Sequence, residues 1–213
     1  MVSRPSDTRR RLLALGAAAP LLGAGCATRV AYVPAPSAAA EPAQPLAGTR
    51  WHYQRINLYN DLPLDERVCE LESTSPSLTV LWRDPTGREL GRERYAQPWD
   101  IVEEPFFGEP LRYAAAVPLM PKPLAAGERR SLQTTFMVLG GNRWLRWRTE
   151  LSALGWERIE VPAGSFVALR ISRISYFEPW QIGRFSARRV ETLWVAPEIG
   201  RWIRRDLDRL LPR

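Results

Sequence analysis

Beyond residue 48 the chain alternates apolar and polar residues in short runs, each broken by glycine, proline, asparagine or aspartate. Leu145, Trp147, Thr149, Leu151 and Ala153 share one parity, and Arg146, Arg148, Glu150 and Ser152 share the other. Successive side chains of a strand point to opposite faces of its sheet, so this period of two predicts one buried and one wet face, as in an antiparallel sheet. "SLQTTFMVL", Ser131 to Leu139, joined through Gly140, Gly141 and Asn142 to "RWLRWRTELSAL", predicts a hairpin. A second hairpin pairs "SLTVLW" with "GRERYA" around the turn signal Asp84-Pro85-Thr86-Gly87. "WERIEV", the turn "PAGS", "FVALRISRISYF", "VETLWVA" and "GRWIRRDL" continue the pattern, with no internal repeat and no sustained 3.6-residue apolar stripe. The expected fold is mainly β: an antiparallel sandwich or strongly curved sheet (half-barrel) of about 8–10 strands. Pro105 to Pro123, dense in proline, reads as a long loop.

The first 47 residues follow a different pattern. An arginine-rich start, "MVSRPSDTRRR", precedes the apolar run "LLALGAAAPLLGAG" and then Cys26. Basic, apolar, then small residues is the order of a secretory signal. The apolar run is about a dozen residues, short of the ~20 a helix needs to span a bilayer core. Leu22, Gly23, Ala24 and Gly25 before Cys26 resemble the lipobox of bacterial lipoproteins, although Gly23 stands where that pattern prefers leucine. The resemblance implies cleavage between Gly25 and Cys26 and lipidation of the Cys26 sulfur; two or more acyl chains hold a protein on a membrane where one does not. "TRRRLL", with Arg9 and Arg10, also resembles a twin-arginine export signal. Pro/Ala-rich sequence from Ala27 to Leu46 reads as a stiff solvated spacer. The expected organisation is a signal peptide over 1–25, a lipid-anchored tether over 26–47 and a single β-rich domain over 48–213.

Two further stretches, "GWERIEVPAGSFVALRISRISYFE" and "TLWVAPEIGRWIRRD", resemble a pairing found in uncharacterised exported bacterial proteins. The matching residues are Val161, Pro162, Ala163, Gly164 and Phe166, then Trp194, Ala196, Pro197 and Gly200, with "LAGTRWHYQ" as an entry motif. That likeness implies an all-β domain and carries no catalytic set.

Charge changes the picture little. The formal net charge is +7, and part of it sits in Arg4, Arg9, Arg10 and Arg11. The remaining basic residues are dispersed among acids, unlike the concentrated face that displaces counterions from phosphates, so no nucleic-acid partner is expected. His52 is the only histidine, and Cys69 the only cysteine besides Cys26. A Ser-His-Asp triad or a tetrahedral zinc site has almost nothing to draw on, so no catalytic residue, metal or cofactor is assigned. His52 reads as a packed structural histidine and Cys69 as a buried free thiol, with an intermolecular disulfide as its alternative. Asp100, Glu103, Glu104 and Glu109 flank Phe106 and Phe107, the residue types of a glycosidase cleft or of a solvated loop.

Nine tryptophans lie in the folded part, more than a core of this size must hold, and aromatic side chains beside arginine mark binding surfaces. Trp144, Arg146, Arg148, Phe106 and Phe107 are the candidate surface. The leading expectation is a non-catalytic, lipid-anchored envelope lipoprotein whose domain faces the periplasm and binds or scaffolds another envelope protein or glycan. Ala27 in place of an aspartate after Cys26 leans toward the outer membrane by analogy. A carrier of apolar molecules, with an open half-barrel as in the lipoprotein-localisation proteins, is the alternative. An envelope hydrolase is the third.

Overall fold

A computed structural model describes residues 32–75, 77–106, 109–179 and 186–212, with the side chains of Phe106 and of residues 208–212 outside that description. Cys26, Gly25, Arg9, Arg10 and Phe107 therefore lie outside the described residues. The strands are β1 (Arg50–Asn57), β2 (Leu62–Ser73), β3 (Leu78–Arg83), β4 (Glu89–Gln97), β5 (Asp100–Phe106) and β6 (Glu109–Pro118). They continue as β7 (Arg129–Val138), β8 (Leu145–Val161), β9 (Gly164–Phe177), β10 (Ala187–Ala196) and β11 (Arg201–Pro212). All eleven form one antiparallel sheet in sequence order, β1 through β11, with no pairing between β1 and β11. The chain is thus mainly β, a single curved sheet rather than a sandwich, with one strand more than the upper expectation.

Inward parity makes the core. Leu145, Trp147, Thr149, Leu151 and Ala153 of β8 are all buried, as the alternation predicts. A register shift opposite Ile171 and Arg170, between Ala153 and Gly155, then changes the parity, so that Gly155, Trp156 and Glu157 are all covered. Trp147 stacks on Phe177 at 5.2 Å and meets Tyr113 and Phe136 edge-on at 5.0 and 5.5 Å. The sheet rolls far enough for the Tyr53 hydroxyl on β1 to donate to the Trp202 carbonyl on β11 at 2.7 Å.

Two expectations are corrected. Pro105 to Pro123 is not one long loop: it contains the end of β5 and all of β6. Pro105 faces Pro110 beside the hairpin turn and Pro118 ends β6, positions where a missing N–H interrupts little. The loop proper is 119–128. The Pro/Ala-rich stretch, read as a solvated spacer from Ala27 to Leu46, touches the sheet at several of its described residues while most of them stay exposed. β7 starts at Arg129 opposite Ser152, which leaves the rest of β8 with a free edge. Val33 takes part of that edge, its N–H donating to the Trp156 carbonyl at 2.7 Å, and the Tyr32 ring packs on Gly155, where a Cβ would collide with it. Further on, Ala43 N–H donates to Pro197 O at 2.8 Å. Gly200, at φ +67°, lets the Ala43 carbonyl approach closer than any Cβ would allow.

The β6–β7 ladder is among the shortest in the sheet, pairing only Leu111–Val138, Arg112–Met137 and Tyr113–Phe136. Beyond it the strands diverge around an open cleft of about 430 Å³ lined by Asp100, Ala116, Pro118, Arg130, Ser131 and Leu132.

Candidate functional site: a buried arginine–glutamate–aromatic network

Inward positions of β9, β10 and β11 carry charge where a core strand carries leucine. Arg173, Arg189, Arg201 and Glu191 are buried there, and Arg205 is largely covered. Glu93 on β4 and Glu104 on β5 are buried facing them. Glu191 is the hub: Arg173 Nε donates to its Oε2 at 2.5 Å, Arg205 Nε and Nη2 to its Oε1 at 3.0 and 2.5 Å, and Arg189 contacts the same oxygen. Arg189 and Arg205 also lie 3.6 and 3.9 Å from Glu104. Tyr113 donates to Glu104 at 2.5 Å, and Tyr95 to Glu93 at 2.6 Å. Burial by itself would raise the Glu191 carboxyl, but Arg173, Arg189 and Arg205 together hold it well below the usual carboxylate range. Glu104 is lowered in the same way by Arg189, Arg173 and Arg205 against its own burial. Desolvation and the adjacent carboxylates push the Tyr95 and Tyr113 hydroxyls up, so both stay protonated donors.

Arg201 is held differently. Its guanidinium lies 3.8, 4.8, 4.9 and 5.9 Å from the ring centres of Trp202, Trp51, Trp99 and Trp82. Glu93 accepts from its Nη2 at 3.4 Å, while Nε and Nη1 have no acceptor among the described residues and are covered by ring faces instead. Trp99 adopts a positive φ of 65°, costly for a bulky residue, and is kept there by edge contacts to Tyr95 at 5.2 Å and Trp202 at 5.4 Å. Four of the nine tryptophans thus enclose one cation. Trp194 is engaged on both sides, by Arg170 at 5.6 Å and Arg204 at 4.8 Å, with its indole N–H on Glu157.

The expected surface residues are only partly brought together. Trp144 is 47% exposed in the β7–β8 connection, whereas Trp147 on the opposite parity is buried. Arg146 and Arg148 share the outer face of β8; Arg146 lies 3.7 Å from Glu178, and Arg148 pairs with Glu150 and lies 5.6 Å from the Tyr176 ring centre. The carboxylates around Phe106 and Phe107, weighed as a cleft or as a solvated loop, diverge. Glu103 points outward to Arg112 at 2.7 Å and Arg94 at 3.6 Å, Glu104 points into the network, and Asp100 pairs with Lys122 at 2.9 Å. His52 is exposed between inward Trp51 and Tyr53, so it does not pack as expected: parity puts it on the outer face. Cys69 is free and fully buried, which leaves an intermolecular disulfide no access; desolvation first of all raises its thiol far above the ordinary range. Among the described residues no group of three or more His, Cys, Asp or Glu is placed to hold a metal ion.

Chemically, the network can fix the curvature of the sheet and fill its interior. Searches against family models, curated proteins and solved structures returned no match to the chain.

Proposed function

We propose that the chain is a bacterial envelope lipoprotein, lipidated at Cys26 after cleavage behind Gly25, whose β domain is a non-catalytic binding or scaffolding module. The three zones around Cys26 support the address. The observation that carries the reading of the domain is its filled interior. Aromatic rings, Arg173, Arg189, Arg201, Arg205 and their carboxylates occupy the space that a carrier would need for an apolar cargo. Such a domain works from its outer surface.

Intact-mass measurement of the mature protein tests the address. The wild type should begin at Cys26 and carry the mass of a diacylglyceryl group, and Cys26→Ser should carry none. A wild-type N-terminus without lipid mass would sink the anchoring. Native mass spectrometry of the same sample tests the domain: a co-purifying lipid held inside the sheet would favour the carrier alternative over this reading.

A further inference from the structure

Among the described residues, exposed apolar side chains gather most densely at the β1–β2 hairpin. In the β1–β2 hairpin Ile56, Leu58, Leu62 and Leu64 are between 46% and 59% exposed, and Tyr59 at the turn is 96% exposed. Ile56 pairs with Pro63 and Asn57 with Leu62, so Ile56 lies on one face of the ribbon and Leu62 and Leu64 on the other. The tip is thus apolar on both faces, and Leu58 shares a small hollow with Val190, Thr192 and Asp206.

Its backbone is also prepared for a poorly hydrating medium. Tyr59 N–H donates to Asn57 Oδ1 at 3.0 Å and Leu62 N–H to Asn60 Oδ1 at 3.2 Å. Asn60 and Asp61 N–H both reach the Asn57 carbonyl, at 3.2 and 2.8 Å. In a bilayer, main-chain donors must find partners within the protein, and these four have them. Just behind the tip, Asp65 joins Arg55 at 2.9 Å and Arg67 at 3.4 Å, a charged collar suited to the headgroup layer. Tyrosine, with an apolar ring and a polar end, favours the same boundary. The exposed Asp61 at the turn limits the depth.

We infer that the β1–β2 tip, residues 56–64, inserts shallowly into the headgroup–acyl boundary of a phospholipid bilayer. The inference rests on the reading of the domain as one that binds through its outer surface, and not on the lipid at Cys26.

The test uses the full chain carrying Cys26→Ser, in which the remaining Cys69 is buried. One form adds Tyr59→Cys and a control adds Ala163→Cys, an exposed residue of the β8–β9 turn at the opposite end of the sheet. Each is labelled with an environment-sensitive fluorophore and mixed with phosphatidylethanolamine/phosphatidylglycerol vesicles whose acyl chains are plain or brominated. Attachment through the apolar leader brings both forms to the vesicles, so co-sedimentation does not discriminate between them. The expected result is a blue shift and at least twofold quenching by bromine at position 59, with neither at 163, and a severalfold smaller response when Leu58→Ser and Leu62→Ser are added. The inference is overturned by an aqueous emission at 59 on the vesicles, or by equal changes at both positions. It is also overturned by a shift that grows with protein concentration without vesicles, which would mean a second copy, or by quenching that survives the two serine substitutions. The lipid mass at Cys26 is read separately, so either idea can fail alone.

Discussion

The interior of the sheet and the tip of its first hairpin exchange the usual places of charge and oil. Inside, arginines and carboxylates are buried with no more than one-fifth of any side chain exposed, while at the tip four aliphatic side chains and a tyrosine stand in solvent. The two arrangements are unequal in kind. Buried ion pairs are weak contributors to stability beside a well-packed apolar core, yet breaking one from a single side is costly. Exposed apolar groups add almost nothing to folding and gain free energy only when something covers them. The interior therefore specifies one arrangement of the sheet, and the tip is available for binding.

That contrast predicts a graded series of effects. Glu191→Gln leaves Arg173, Arg189 and Arg205 without their shared anion and should lower unfolding free energy by about 3–5 kcal/mol in urea titrations. Arg201→Met should cost about 3 kcal/mol because it leaves buried Glu93 with only the Tyr95 hydroxyl and a distant Arg205, whereas Arg201→Met with Glu93→Leu should recover a large part of the loss. Equal losses in the single and double variants would mean the ring cage, not the charge pair, matters there.

Acid should weaken the interior and spare the tip. The Glu191 and Glu104 carboxyls are lowered by folding from an ordinary value of 4.5, so their stabilisation is present above that value and is lost as pH falls through their folded values. Urea midpoints should be level from neutral pH down to about pH 5 and fall below that, and Glu191→Gln should flatten the fall. Gly155→Ala, which drives a Cβ into the Tyr32 ring, should cost about 1 kcal/mol and speed proteolysis of residues 32–47. Last, Leu58→Ser and Tyr59→Ser should each change stability by about 0.5 kcal/mol or less; a larger loss would show that the tip packs on something in the fold.

Much of this interior was open to a parity argument. In "ALRISRISYF" the alternation that puts Leu169, Ile171 and Phe177 inward also puts Arg173 inward, and in β10 it does the same for Arg189 and Glu191. Period two thus places charge in the core, although the same arginines look merely dispersed when counted along the chain. Turns at Asp84–Gly87, Gly140–Asn142 and Pro162–Ala163 were legible because their residues fix backbone geometry locally. β5 and β6 were not, since proline at a strand end leaves the same local signature as proline in a loop. The docking of Tyr32 and Val33 was beyond reach of any local pattern: it depends on β7 stopping short of β8, a property of the assembled sheet. The apolar tip stands in the sequence as "INLYNDLPL", but alternation alone does not tell an exposed leucine from a buried one.

The network joins unlike halves. Glu93 and Glu104 come from strands before the short β6–β7 ladder, and Arg173, Arg189, Arg201 and Arg205 from strands after it. In order of synthesis the two acids are therefore made long before their partners, and Arg201 and Arg205 arrive with the last strand of the sheet. Glu104 meets Arg189 once β10 is made, but Glu93 has no cationic partner until Arg201 and Arg205 arrive, so the interior is complete only when β11 joins the sheet.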